Sequence, residues 1–169
     1  GQFIYTHQND SLFLNLFIAS ELNWREKGIR IRQETKFPYE ERTQLTVLEG
    51  SAPFTLMIRY PFWVSSGALK IILNGDTLSY TAEPASYIPI YRTWTPGDRV
   101  EVLLPMRVRI ETLPNVPKYV AFLYGPIVLG VKTGTEDLKG LIADDSRWGH
   151  VPSGTLLPLE KAPIIVEED

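Results

Sequence analysis

The stretch YVAFLYGPIVLG, Tyr119 to Gly130, is apolar almost throughout and is cut near its middle by Gly125-Pro126. Three structures compete for such a run: a membrane span, a buried helix, or paired strands. A spanning helix needs about 20 apolar residues. This run has 12, with Lys118 and Lys132 at its flanks. A buried helix fits poorly, because Pro126 has no amide hydrogen to continue the ladder and Gly125 adds an entropic cost. Two short strands remain, Tyr119 to Tyr124 and Ile127 to Val131, joined or bent at Gly-Pro. Their Val, Ile, Phe and Tyr side chains suit a pleated sheet, and the continuous apolarity predicts burial on both faces.

The same period of two recurs upstream. Ser11 to Ile18 (SLFLNLFI) is apolar on both faces, which predicts a central strand. Ile29 and Ile31 alternate with Arg30 and Arg32, so that strand has one wet face. Leu45 and Val47 share a side, as do Phe54, Leu56 and Ile58, then Leu69, Ile71 and Leu73, and then Ile88 and Ile90. Val100, Val102 and Leu104 follow, and Met106, Val108 and Ile110 alternate with Arg107, Arg109 and Glu111. Asn74-Gly75 lies between strand-like runs and predicts a tight hairpin, since both residues tolerate positive φ. Thr95 to Asp98 (TPGD) reads as a turn. Some ten or eleven short strands at spacings of about 8–12 residues, with no sustained helical period, predict an all-β fold. The expected architecture is a two-sheet antiparallel β-sandwich, jelly-roll-like, over residues 1–133. Residues 134–169 are richer in acids and turn formers, and read as an extended tail or a connector to a following domain.

Bulk properties narrow the function. The chain has 169 residues, 44% apolar and 22% charged, enough for one domain with a real core. A net charge of −3 gives no electrostatic case for nucleic acid or an anionic membrane. The absence of cysteine excludes disulfides, thiolate nucleophiles and thiolate metal sites. The chain opens Gly-Gln and runs directly into strand-like QFIY, which reads as an excerpt from a longer polypeptide.

Candidate chemistry is sparse. Glu40-Glu41 and Asp144-Asp145 are adjacent carboxylate pairs. Neighbours in a strand point to opposite faces, whereas a catalytic acid and base must oppose each other across a substrate. Asp144, Asp145 and His150 share the loop ADDSRWGHV, and His7 follows a strand-like run. A solvated loop and a hydrogen-bonded structural histidine are the simpler readings, so neither a metal nor another cofactor is expected. No nucleophile elbow or phosphate loop is present. Aromatic rings could stack on sugars. Trp63 and Trp94 stand beside turns at strand ends, where a large ring plugs a sandwich core. Trp24 and Trp148 lie in loop-like sequence and are the candidate sugar-binding rings, with Asp144, Asp145 and His150 as polar partners.

Six segments taken in order add a family resemblance: IYTHQNDSLFLNLFIASELNW, QETKFPYEERTQLTV, FTLMIRYPFWV, YRTWTPGDRVEVLLPM, YVAFLYGPIVLG and ADDSRWGHVPSG. Together they resemble the β-sandwich region that follows the catalytic barrel in bacterial glycoside hydrolase family 127, the β-L-arabinofuranosidase-like proteins once catalogued as a domain of unknown function. The resemblance implies a helical-toroid catalytic domain in the same parent chain, with a cysteine nucleophile on a zinc site and a separate glutamate acid/base. None of those positions maps onto this cysteine-free sequence. It therefore implies a non-catalytic accessory domain that braces the catalytic domain, in a periplasmic or secreted parent. The competing expectation is a carbohydrate-binding module for plant polysaccharide or oligosaccharide.

Overall fold

The computed structural model describes residues 3–130, and all but the last of these belong to one unit, Gly1–Leu129. Thirteen strands form three sheets among these residues. The first sheet contains β1 (Tyr5–Gln8), β2 (Ser11–Leu14), β6 (Ala52–Tyr60) and β9 (Ser86–Trp94), in the order β1-β2-β6-β9. The second contains β3 (Ser20–Trp24), β4 (Ile29–Thr35), β5 (Arg42–Glu49), β7 (Lys70–Leu73), β8 (Asp76–Leu78) and β10 (Arg99–Leu103), in the order β3-β4-β5-β10-β7-β8. The chain passes repeatedly between the two. All their pairings are antiparallel except β2 with β6.

The two sheets bury the residues that alternation places together. Leu12, Leu14, Phe54, Leu56, Ile58, Ile88 and Ile90 come from the first, and Ile29, Ile31, Leu45, Val47, Ile71, Val100 and Val102 from the second. Apolar area removed from water is the main force holding the layers face to face. A buried polar chain crosses the same interior. Tyr5 Oη donates to Gln33 Oε1 at 3.1 Å, and Gln33 Nε2 donates to Thr43 Oγ1 at 2.9 Å, so these groups are satisfied rather than stranded. Burial raises the Tyr5 pKa, against a smaller lowering by Ser20.

Turn chemistry sets the register. Asn74 (φ 53°) and Gly75 (φ 98°) form the two-residue hairpin between β7 and β8, with Leu73 opposite Asp76. The Thr95–Asp98 turn joins β9 to β10 and carries a denser set of bonds. Asp98 is 7% exposed. Its carboxylate accepts from the Thr95 amide at 2.8 Å, from Asn74 Nδ2 at 2.7 Å and from the Arg92 guanidinium at 3.2 Å. Arg92 also lies over the buried Trp94 ring, 5.4 Å from its centroid. Burial alone would raise the Asp98 pKa, but these donors outweigh it and hold the carboxyl below its usual range.

Two expectations from the sequence do not hold. Ser11 to Ile18 is not one long strand: β2 ends at Leu14, and Phe17 enters the core from a loop. Nor does the Tyr119–Gly130 run lie in the sandwich, buried on both faces. A third sheet holds β11 (Val108–Leu113), β12 (Val116–Tyr124) and β13 (Ile127–Val128), with Gly125-Pro126 as the tight turn between the last two. Leu123 is buried, but Tyr119 is 63% exposed and Val128 66%. Apolar alternation tells which side chains share a face; it does not tell what covers that face.

Two substitutions test this architecture. A Cβ at Gly50 (φ 85°), between β5 and β6, would fall on the Gly28 carbonyl oxygen. Gly50→Ala should therefore destabilise by about 2–4 kcal/mol in urea unfolding, through backbone strain and displacement. Asp98→Ala strands three donors and should cost about 2–4 kcal/mol. Because the folded-state pKa of Asp98 is depressed, its contribution is present above the unfolded carboxyl range and fades as pH falls through the folded value. The wild-type advantage over Asp98→Ala should accordingly shrink in acid.

Candidate functional site

The outer surfaces of the described unit differ in chemistry. On the outer face of the second sheet, opposite charges meet across strands. Glu21 stands directly opposite Arg32 and pairs with it at 2.8 Å, and Arg42 reaches Glu101 at 3.4 Å; in the loop between β4 and β5, Lys36 meets Glu40 at 3.0 Å. Hydrogen bonds from Lys36 and then Arg42 hold Glu40 below the usual carboxylate range. Exposed pairs of this kind keep a face soluble and contribute little each. The outer face of the first sheet is mixed: Phe13, Met57 and Pro89 share one row, and Tyr91 beside them is 74% exposed.

One end of the sandwich is apolar. The loop after β2, the Phe37-Pro38 loop with its cis peptide, and the Pro61-Phe62-Trp63 corner after β6 converge there with Pro126. They enclose a cleft of about 350 Å³. Phe37 stacks on Trp63 with centroids 5.8 Å apart and planes 14° apart, and Phe17 meets Phe37 edge-on at 5.8 Å. On the rim, Ile18 is 48% exposed and Phe62 59%.

A latch fixes the third sheet beside this end. Glu41 Oε1 accepts from Tyr124 Oη at 2.8 Å and from the Met106 amide at 3.1 Å. Arg109 lies over the Phe62 ring, 5.1 Å from its centroid, and donates to the Gly125 carbonyl at 3.2 Å. The hydrogen bond to Glu41 is the main reason that the Tyr124 pKa is raised, with desolvation second. Beyond the latch the sheet presents Val108, Ile110 and Val120, each close to half exposed or more.

The residues singled out in the sequence fall in several places. Trp24 is not an exposed ring: it is 5% exposed at the end of β3 and edge-on to Phe54. Its alternation with Leu22 is the signal for that, masked by the charged REK turn that follows. Trp94 is buried at the end of β9, and Trp63 is buried in the corner after β6. His7 sits on β1, 5.5 Å from the Trp24 ring. The two neighbouring carboxylates serve different structural partners: Glu40 holds Lys36 and Arg42, and Glu41 holds Tyr124 and the Met106 amide. Asp144, Asp145, Trp148 and His150 lie outside the described residues. Apart from Trp63, read from the sequence as a core plug, the cleft residues are not among those singled out, although FPY, PFW and GP each set proline at or beside an apolar side chain in a turn.

Residues 11–106 match the family model described as the β-L-arabinofuranosidase GH127 middle domain. The chain belongs to this GH127 family. A second model, a domain of unknown function (DUF4986), matches residues 109–169, so the two matches meet where the chain leaves β10 for the third sheet. Among solved structures, a glycoside hydrolase is similar at 29% identity and a TM-score of 0.65, over 73% of this chain and 22% of that one. A GH127 β-arabinofuranosidase is similar at 29% and 0.64, over 74% and 23%. A GH127 β-L-arabinofuranosidase from Geobacillus stearothermophilus T6 is similar at 29% and 0.63, over 75% and 21%. The matched region spans about a fifth of the length of these structures. No curated protein sequence matches the chain.

The latch makes a direct prediction. Glu41→Ala removes the acceptor for two donors and should loosen the third sheet. Amide exchange in β12 should accelerate while β6 stays protected, and the Tyr124 hydroxyl should ionise closer to its ordinary pH in an absorbance titration.

Proposed function

We propose that this GH127 middle domain is a non-catalytic accessory module, which packs on and braces the catalytic domain of a longer glycoside hydrolase. The observation that carries the reading is the exposed apolar surface at the cleft rim (Ile18, Phe62) and on the third sheet (Val108, Ile110, Val120), against an ion-paired outer face on the second sheet. Soluble domains place large contiguous apolar surface where another body covers it. The carboxylates also support a structural role. Asp98, the buried carboxylate among the described residues, is enclosed by its own donors and held ionised, so it is unsuited to deliver a proton at neutral pH. Residues 134–169 are read as the connector or tail of the same module.

A second reading, binding of plant polysaccharide, draws support from the exposed Tyr91 ring and would enlist Trp148, Asp144, Asp145 and His150. Exposed rings of this type offer a face to sugar C–H groups.

The purified chain should not hydrolyse an aryl β-L-arabinofuranoside, while the longer polypeptide that carries it does. Deleting residues 1–130 from the longer polypeptide should shorten its thermal half-life by about tenfold, as expected for loss of a large intramolecular interface. Turnover by the chain alone, or an unchanged half-life, would contradict the accessory role. Quenching of tryptophan fluorescence by arabinan oligosaccharides would move the sugar-binding reading forward.

A further inference from the structure

We propose that the pocket between β1 and β3 binds a single neutral sugar unit, with the Trp24 indole N–H as its central donor. This site goes beyond the accessory role. It rests on the sugar-binding reading and gives that reading a place distinct from Tyr91.

β1 and β3 are edge strands of the two packed sheets, and residues of both line a pocket of about 290 Å³. That volume lies at the lower end of small-molecule sites, about 300–1,000 Å³, and suits one ring rather than a chain. Leu12 and Leu22 give it apolar wall. Trp24 is held there by Phe54, edge-on at 5.4 Å, and by His7 at 5.5 Å. Its Nε1 is buried and has no hydrogen-bond partner. A buried donor left unpaired is costly, so an oxygen acceptor that reaches it gains more than one bonding at an open surface. Arg30 Nε is the other such atom among the described residues, but its guanidinium already pairs with Glu49. The exposed apolar residues of the cleft rim (Ile18, Phe62) and of the third sheet (Val108, Ile110, Val120) offer no comparable polar address.

The lining also fixes the class of ligand. Arg25 and Glu26 are neighbours of opposite charge, and Lys27, 5.9 Å from the Trp24 ring centre, is paired with Asp10. An anion drawn to Arg25 meets Glu26, and a cation drawn to Glu26 meets Arg25. A neutral polyol meets no such conflict. Each of its hydroxyls both donates and accepts, which matches Trp24 as donor, Glu26 as acceptor and Asn23 as both. Thr6 Oγ1 already accepts from Asn15 Nδ2 at 3.1 Å, which leaves its hydroxyl hydrogen to donate. An added peptide strand would instead read backbone groups along an edge, and β1 is only four residues long. The sequence suggests Trp24 as a stacking platform; buried as it is, the ring contributes its N–H rather than its face.

Titration of the isotope-labelled chain with L-arabinose, D-xylose and D-galactose, followed by heteronuclear magnetic resonance, tests the site. The Trp24 indole N–H resonance should shift and saturate in the millimolar range for at least one of these sugars, while those of Trp63 and Trp94 stay in place. Asn23→Ala and Glu26→Ala, both at exposed positions, should each weaken that binding about tenfold, the worth of one hydrogen bond. Circular dichroism melting confirms that both variants fold. A saturable shift of equal affinity in the two variants and the parent chain would overturn the pocket. Shifts confined to the Tyr91 ring would overturn it while keeping the sugar-binding reading. No saturable shift with any of the three sugars would overturn both.

Discussion

The ion pair between Arg92 and Asp98 is the polar constraint that fixes how the two packed sheets are joined. Arg92 belongs to β9, at the edge of the first sheet, and its position on the strand points it inward with Ile88, Ile90 and Trp94. An inward cation at a sheet edge is tolerable only when paired. Asp98 supplies the pair from the turn that carries the chain into β10 of the second sheet, and Asn74 ties the same carboxylate to the β7–β8 hairpin. One carboxylate thus ties a strand of the first sheet to two turns of the second. The RTWTPGD segment is explained by this: Arg and Asp for the bridge, Trp for the plug beneath the guanidinium, Gly97 for the positive φ of 92°.

The latch at Glu41 does for the third sheet what Asp98 does for the first two. It lies in the loop before β5 and accepts from the Met106 amide at the end of the first family match and from the Tyr124 hydroxyl within the second. The middle domain and the strands after it are therefore joined by a specific hydrogen bond as well as by the chain. The apolar cleft stands beside this junction, with Pro126 from the third sheet in its wall.

How much of this is legible in the sequence depends on the range of the interaction. Alternation identifies the inward residues of β4, β5, β6, β9 and β10, because a period of two is fixed by each strand alone. Asn74-Gly75 announces its hairpin for the same local reason. Sheet membership is not legible: β2 pairs in parallel with β6, with Ser11 opposite Thr55, and nothing local signals that. Val108 and Ile110 alternate as well as Val100 and Val102 do, yet the first pair faces outward and the second the core. Trp24 misleads in the opposite sense, since the charged turn after it suggests solvent while β3 turns its ring inward. The cleft has no local signature, because its walls come from separate loops and become a surface only after the sandwich closes.

The proposed accessory role means that this unit is mechanically coupled to the remainder of a longer polypeptide rather than a free appendage. Differential scanning calorimetry of that longer polypeptide tests it most directly. Coupling predicts that the sandwich and the remainder unfold together, with the transition of this unit shifted above the temperature at which the chain melts alone. Two independent transitions, each at the temperature of its isolated fragment, would contradict the account.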